Sequence, residues 1–384
     1  MRYVGCKRRL LPFIHKAILN HQIEGQTFCD LFAGTATVGK YFKQHGYKII
    51  SNDLLYVSYV MQKVKIEINV MPSFEKLAKH LGLAFNSQNQ YAQAVIDYLN
   101  ALKGIEGFVY QNYSLGGTQH QTIQRLYYSD ENAKKIDAIR ELIEAWKQLA
   151  LINDDEFFIL LYALLDEASN HANTTGTMSS FLKRLETKAK RTINLKLPAI
   201  TDSDYQHQVY CQNGLELLEQ LPSMDILYLD PPYTSTQYAT SYHLLETIAR
   251  WDSPSLSGIA GKRDTTRLKS PLSSKRHALA ALECIVGSHC YRHLLLSYSS
   301  DSLISHEDLM SLLQRYGDVS VSRQTLRRYN SMSPNDPRTN PRQQVEERLY
   351  YLRPDQATVN TGQSNQPLLI NRVKEPLYTR PTYQ

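Results

Sequence analysis

The stretch from Thr27 to Asp53 limits the possible folds more than any other part of the chain. Thr27-Phe28-Cys29-Asp30-Leu31-Phe32 reads as a buried strand, followed by Ala33-Gly34-Thr35-Ala36 and then a helix-like pattern that Gly46 stops. A second short apolar run, 47–53, ends on Asn52-Asp53. Strand, glycine turn, helix, glycine, strand is the opening βαβ unit of a doubly wound, Rossmann-like α/β sheet.

Further strand patterns lie far downstream. Met224-Asp225-Ile226-Leu227-Tyr228-Leu229-Asp230-Pro231-Pro232-Tyr233 is an apolar run halted by two prolines, which cannot continue a central strand. Residues 293–300 read as another buried strand, 305–317 as a helix, and 319–329 with 346–354 as alternating antiparallel strands. Residues 61–204 differ. Apolar residues recur there at helical spacing in 90–104 and 132–152, and 154–172 is a more apolar, buried helix. This block reads as a mainly helical insert, with surface loops at 108–121 and 173–180, splitting a catalytic domain of residues 1–60 and 205–353. The tail, 355–384, is rich in Gln, Asn, Thr and Pro and is expected to be loosely packed.

Composition excludes several classes. Of 384 residues, 42% are apolar and 21% charged, as in an ordinary globular chain. No run approaches the ~18–20 apolar residues of a membrane span, and basic residues stand where a secretory signal needs an apolar core. A soluble, cytoplasmic protein without membrane partners is expected. The five cysteines are scattered with no Cys-x-x-Cys pair, which fits neither a disulfide framework nor a zinc site; reduced, mostly buried thiols are expected. The net charge of +6 is concentrated: residues 262–353 hold fifteen Lys/Arg against nine Asp/Glu. Such a stretch is a solvated face or the footprint of a phosphate backbone.

Gly34 would let the backbone approach a ligand at the carboxyl edge of the first strand. Asp53, about 20 residues further on, is placed to accept hydrogen bonds from ribose hydroxyls. The turn is not a full Gly-x-Gly-x-x-Gly, so a dinucleotide is disfavoured and a nucleoside without pyrophosphate remains. Asp230-Pro231-Pro232-Tyr233 closes a strand at the same edge. Its chemistry suits methyl transfer to an exocyclic amino nitrogen, whose lone pair is delocalised into the aromatic ring. The Asp230 carboxylate and the Pro231 carbonyl can both accept from the NH2, localising the lone pair toward the methyl group. The prolines, Pro231 and Pro232, fix the turn, and Tyr233 can stack on the base. The absence of a Pro-Cys nucleophile motif disfavours covalent cytosine-C5 chemistry, and direct transfer needs no metal.

With those residues in their order, and with Tyr3-Val4-Gly5-Cys6-Lys7-Arg8 as an aromatic-x-Gly-x-Lys opening, the chain resembles the Dam-type adenine-N6 DNA methyltransferases, which include modification enzymes of restriction systems. The resemblance covers roughly 1–60 and 205–353. It implies S-adenosylmethionine as cofactor, held by residues matching Tyr3, Lys7, Asp30, Phe32, Gly34, Asp53, Asn213 and Asp230, with Asp230 to Tyr233 holding the target adenine. Double-stranded DNA is the implied partner, together with a cognate restriction endonuclease. Two positions depart from the family. Ala36 replaces a common second glycine, so the turn is expected to avoid a conformation that a Cβ forbids. Asn213 replaces a common Asp and can still hydrogen-bond the cofactor's adenine.

The target base must leave the duplex, which costs a few kcal/mol. Base-reading candidates are the loops 108–121 and 173–184; phosphate-contact candidates are Arg263, Arg267, Arg327, Arg328, Arg338 and Arg342. Tyr238, Tyr242 and His243 either line the pocket or pack. The rival readings are an RNA or cytosine-N4 amino methyltransferase and a DNA-binding module without turnover. Removing the Asp230 carboxylate is expected to abolish transfer and largely spare the fold, on the view that it lies at a strand end facing solvent or ligand.

Overall fold

The computed structural model describes residues 7–83, 88–327 and 344–355. Its centre is a seven-stranded sheet, β1 (Thr27–Asp30), β2 (Lys48–Asn52), β3 (Gln208–Tyr210), β4 (Met224–Leu229), β5 (Tyr291–Ser299), β6 (Gly317–Arg327) and β7 (Gln344–Pro354), in the order 3-2-1-4-5-7-6. β1 to β5 are parallel, and β7 runs antiparallel between β5 and β6. The doubly wound α/β expectation holds, and so does the antiparallel pair at the end of the chain. From β1 the chain first builds outward through β2 and β3, then returns to place β4 on β1's other side. β1 and β4 therefore flank the switch point, outside whose carboxyl ends doubly wound folds bind ligands.

Apolar residues on both faces of the central strands pack under helices. One face joins Phe28, Ile49, Ile226 and Leu295 to the helices Leu11–Asn20 and Thr37–Gln44; the other joins Cys29, Leu227, Leu294 and Leu296 to Ala278–Val286 and His306–Leu313. The helix Thr37–Gln44 ends where Gly46, at φ +81°, turns the chain into β2. Cys29 is buried, while Cys211, Cys284 and Cys290 are half-buried; these four described cysteines are unpaired. No helix among the described residues is long and apolar enough to cross a membrane.

The expectation for Ala36 is corrected. Ala36 adopts φ 55°, ψ 30°, the left-handed conformation itself, as does Gly34 at φ 52°. The conformation costs an alanine roughly 1–2 kcal/mol. It persists because the Ala36 amide donates to Ala33 O at 2.7 Å and its carbonyl starts the helix through Lys40 N. Ala36 is also fully buried, so Ala36→Gly would relieve strain but lose a methyl group worth about 0.8 kcal/mol and loosen the unfolded chain by about 0.4–1 kcal/mol. These offset. Thermal denaturation is expected to place the variant within about 1 kcal/mol of the parent, and a loss above about 2 kcal/mol would contradict the offset.

The helices read in 61–204 are present as Gln88–Ala101, Asp130–Gln148 and the strongly buried Asp154–His171. Segment 108–121 is a correction. It is not a surface loop: it folds into the short helices Phe108–Tyr113 and Leu115–Thr118, with Val109, Tyr113 and Thr118 buried. The second loop expectation is corrected in part, because 173–180 has no regular structure but buries Asn173, Thr174 and Met178. The block's apolar core continues into the helices Tyr56–Gln62 and His243–Arg250 from the sheet half. A polar clamp secures the junction: buried Arg140 donates to the terminal carbonyls of Ile248 and Ala249 at 3.0 and 3.3 Å. Within the sheet half, buried Glu246 ties the two helices together by accepting from Tyr56 N and Val57 N at 3.0 and 2.9 Å.

Candidate active site

The loops after β1, β2, β3 and β4 meet in one pocket. Its lining includes Lys7, Asp30, Phe32, Gly34, Asp53, Asn213, Asp230 and Pro232, so the structure brings together most of the catalytic and cofactor-binding candidates drawn from the sequence. Tyr3, Arg328, Arg338 and Arg342 lie outside the described residues, as do residues 356–384 and the Arg327 side chain.

Asn52, at the end of β2, ties these loops together. Its Nδ2 donates to Leu31 O and Gln212 O at 3.2 and 3.1 Å, and its Oδ1 accepts from Gln212 N at 3.1 Å. Asp53 then closes the glycine turn: Oδ2 accepts from Gly34 N at 2.8 Å and Oδ1 from Leu55 N at 2.9 Å. Burial pushes the Asp53 carboxyl up to about 6, against the pull of those two amides. Asp30 is deeper. Its Oδ2 accepts from Gly39 N at 3.2 Å, while Oδ1 is buried without a hydrogen-bond partner among the described residues. Burial, with the Asp230 charge behind it, pushes Asp30 up to about 8.

At the end of β4, Asp230 Oδ1 lies 3.2 Å from the Lys7 ammonium, and the same Nζ lies 3.2 Å from Glu347 Oε2 on β7. The Asp230 side chain is only 17% exposed. It sits at the end of β4 and faces the pocket it lines, in keeping with a carboxylate turned toward a ligand; the sequence did not reveal the buried cation behind it. Burial pushes Asp230 up to about 6 although Lys7 pulls it down. Burial alone would lower Lys7, but Asp230, then Tyr233 and Glu347, outweigh it and hold the ammonium well above the ordinary lysine value.

The remaining candidates separate. Pro231 is buried, and the motif ends where Tyr233 O accepts from Leu303 N at 2.9 Å. The Tyr233 ring is outside the pocket lining: it packs edge-on to Tyr298, with Lys7 Nζ 5.3 Å from its centroid. Tyr238 does line the pocket. Tyr242 and His243 are core residues, His243 Nε2 lying 2.8 Å from Met178 O. Asn213 caps the helix Gly214–Leu218, its Oδ1 accepting from Leu215 N at 3.1 Å and its Nδ2 donating to Glu216 at 3.2 Å. Arg263 is bound to Asp252 through two hydrogen bonds of 3.0 and 2.6 Å, whereas Arg267 is exposed at the pocket mouth beside Lys269.

Sequence reasoning missed Glu347, Asn52 and, beyond Arg267, the wall 268–273. The wall is held by a reciprocal pair: Gln237 Nε2 donates to Ser270 O at 3.3 Å, and Ser270 N donates to Gln237 Oε1 at 2.9 Å. Glu347 did leave a signal, since it falls in phase with the inward residues Leu349 and Tyr351 of an alternating strand.

A family model described as D12 class N6 adenine-specific DNA methyltransferase matches residues 3–312. The chain is 36% identical to modification methylase StsI of Streptococcus sanguinis, across 92% of this chain and 52% of that protein. It is 33% identical to type II methyltransferase M.FokI of Planomicrobium okeanokoites, across 99% of this chain and 57% of that protein. With type II methyltransferase M.NlaIII of Neisseria lactamica the identity is 34%, across 86% of this chain and 93% of that protein. The chain thus spans about half the length of the first two relatives and nearly all of the third.

Proposed function

Because the chain belongs to the D12 class N6 adenine-specific DNA methyltransferases, we propose that it transfers a methyl group from S-adenosylmethionine to N6 of an adenine flipped out of duplex DNA. We further propose that it does so as the modification enzyme of a restriction-modification system with a cognate endonuclease, in the cytoplasm. The observation that carries the reading is the convergence of Gly34, Asp53 and Asp230 on one pocket at the β1–β4 switch point.

The pocket suits such a cofactor. Asp30, Asp53 and Asp230 all line it and all have carboxyls raised by burial. A ligand that brings cationic centres and hydroxyl donors would relieve that cost, and Asp30 Oδ1, without a hydrogen-bond partner among the described residues, asks for such a donor. Bound S-adenosylmethionine supplies an electrophilic methyl on a sulfonium sulfur. Asp53 would receive the ribose hydroxyls, Phe32 and Leu215 the flat adenine, and Lys7 or its neighbours the carboxylate end. Asp230 accepts a proton of the substrate NH2 in a hydrogen bond and, with the Pro231 carbonyl, holds the amino nitrogen in line with the methyl group. As the nitrogen gains the methyl it becomes cationic and sheds one proton, for which Asp230 is the nearest acceptor. Arg267 and Lys269 at the mouth suit DNA phosphates. The catalytic unit of 1–60 and 205–353 would present the everted base, and the helical unit, 61–204, would read its neighbours.

The test is to incubate the protein with methyl-labelled S-adenosylmethionine and either duplex DNA or RNA, then identify the modified nucleoside. N6-methyladenine in DNA is expected. N4-methylcytosine, or label only in RNA, would replace the reading with one of its rivals, and cofactor binding without transfer to any nucleic acid would favour a binding module.

A further inference from the structure

The Lys7 cluster holds one more carboxylate than an ion pair needs. Lys7 is 5% exposed, and its Nζ is equidistant, at 3.2 Å, from Asp230 Oδ1 and Glu347 Oε2. Glu347 is itself buried, at 7% exposure, on β7 beside Ser299 of β5. Two acids and one base in a buried site leave an unbalanced negative charge, and a buried ion pair is weak support for stability in any case. Packing gives no reason for an acid at this position, which shares its strand face with Leu349 and Tyr351.

We propose that Glu347 is a positioning residue for methyl transfer: by sharing the Lys7 ammonium with Asp230, it holds that cation behind the carboxylate and keeps Asp230 a strong acceptor toward the substrate amino group. The inference rests on the methyl-transfer reading above. Without Glu347, the ammonium would belong to Asp230 alone. A carboxylate fully paired with a buried cation is less basic and grips an N–H donor less well. The groups that face Asp230 are Lys7 from the N-terminal turn, Asp30 from the end of β1, Tyr228 from β4, Tyr233 and Tyr238 from the segment after β4, and Glu347 from β7. Among these, Glu347 acts on Asp230 in the direction opposite to Lys7, raising its carboxyl pKa.

The experiment compares Glu347→Gln, which keeps the shape and removes the charge, with Glu347→Asp, which keeps the charge. Glu347→Gln is expected to lower kcat for DNA methylation about tenfold, with KM for DNA unchanged, and to move the acid limb of the pH profile to lower pH. Glu347→Asp should restore the limb at least in part. In the cofactor-free protein, 13C NMR of labelled aspartate carboxyls, with Asp230→Asn to assign the signal, should find Asp230 titrating near 6 in the parent and lower in Glu347→Gln. An unmoved Asp230 titration would overturn the proposal. So would a Glu347→Gln variant whose kcat falls with its melting temperature while the acid limb stays fixed, the mark of a purely structural role. Should the parent protein methylate no nucleic acid, the transfer reading fails separately, and the titration still tells whether Glu347 tunes Asp230.

Discussion

Asp230→Asn is expected to cut methyl transfer by at least about a thousandfold, the upper range for loss of one preorganised electrostatic group, while moving the melting temperature by only a few degrees. The amide matches the carboxylate in shape but has one acceptor where the carboxylate has two. Lys7, 3.2 Å from Oδ1, demands that the amide oxygen face it, which turns the NH2 toward the pocket. There it meets the substrate amino group donor to donor. The fold is spared because Lys7 keeps Glu347 at 3.2 Å and is not left as an unpaired buried charge. The parent should show the same dependence through pH. With the Asp230 carboxyl at about 6, lowering the pH through that value protonates the acceptor, so kcat/KM should fall on the acid side of about pH 6 and level off above it. Retention of a tenth of the activity by Asp230→Asn, or an acid limb it shares with the parent, would remove Asp230 from the chemistry.

The same residues explain what the sequence could and could not reveal. β1, β2, β4 and β5 were legible because buried parallel strands are short apolar runs ended by Gly, Asp or Pro. β3 was not: Gln208–Tyr210 is three residues at the sheet edge, partly exposed, with no apolar run to betray it. The helix Phe108–Tyr113 was hidden for a different reason. Its N-terminal amides at Val109 and Tyr110 are accepted by the Asp137 carboxylate, each at 2.8 Å, so its cap comes from another helix and not from its own flank. Gly116-Gly117 falls in the stretch read as a surface loop, yet a Cβ on Gly117 would come within 1.9 Å of Tyr110 O, so the glycine serves close packing. At the site, the residues that end strands were readable one by one. What joins them was not. Glu347 reaches Lys7 across 340 positions of sequence, and no local pattern encodes a charge balance formed at that separation.

Asp53→Ala is the second large effect, and the structure alters its expected form. The sequence assigns Asp53 to the ribose, so weakened cofactor binding is the effect it predicts. In the structure both carboxylate oxygens already accept backbone amides, Gly34 N at 2.8 Å and Leu55 N at 2.9 Å. An ionised carboxylate has about four acceptor positions, so each oxygen can still take a ribose hydroxyl. Asp53 therefore shapes the turn and faces the ligand at once. Alanine would strand both amides at about 1–3 kcal/mol each and release the loop that carries Gly34 in its left-handed conformation. Calorimetry should show S-adenosylmethionine binding weakened about 10–100-fold, the equivalent of losing about 1.4–2.8 kcal/mol, together with a lower melting temperature. Asp53→Asn should fall between, because its single carbonyl oxygen can accept one amide while its NH2 confronts the other. With the Asp53 carboxyl at about 6, binding to the parent should also weaken as the pH drops through that value, since protonation removes an acceptor the ligand needs. A variant that lost affinity at full thermal stability would assign Asp53 to the ribose alone, and one that lost stability with unchanged affinity would assign it to the turn alone. The two-fold attachment at Gly34 and Leu55 requires both to fall together.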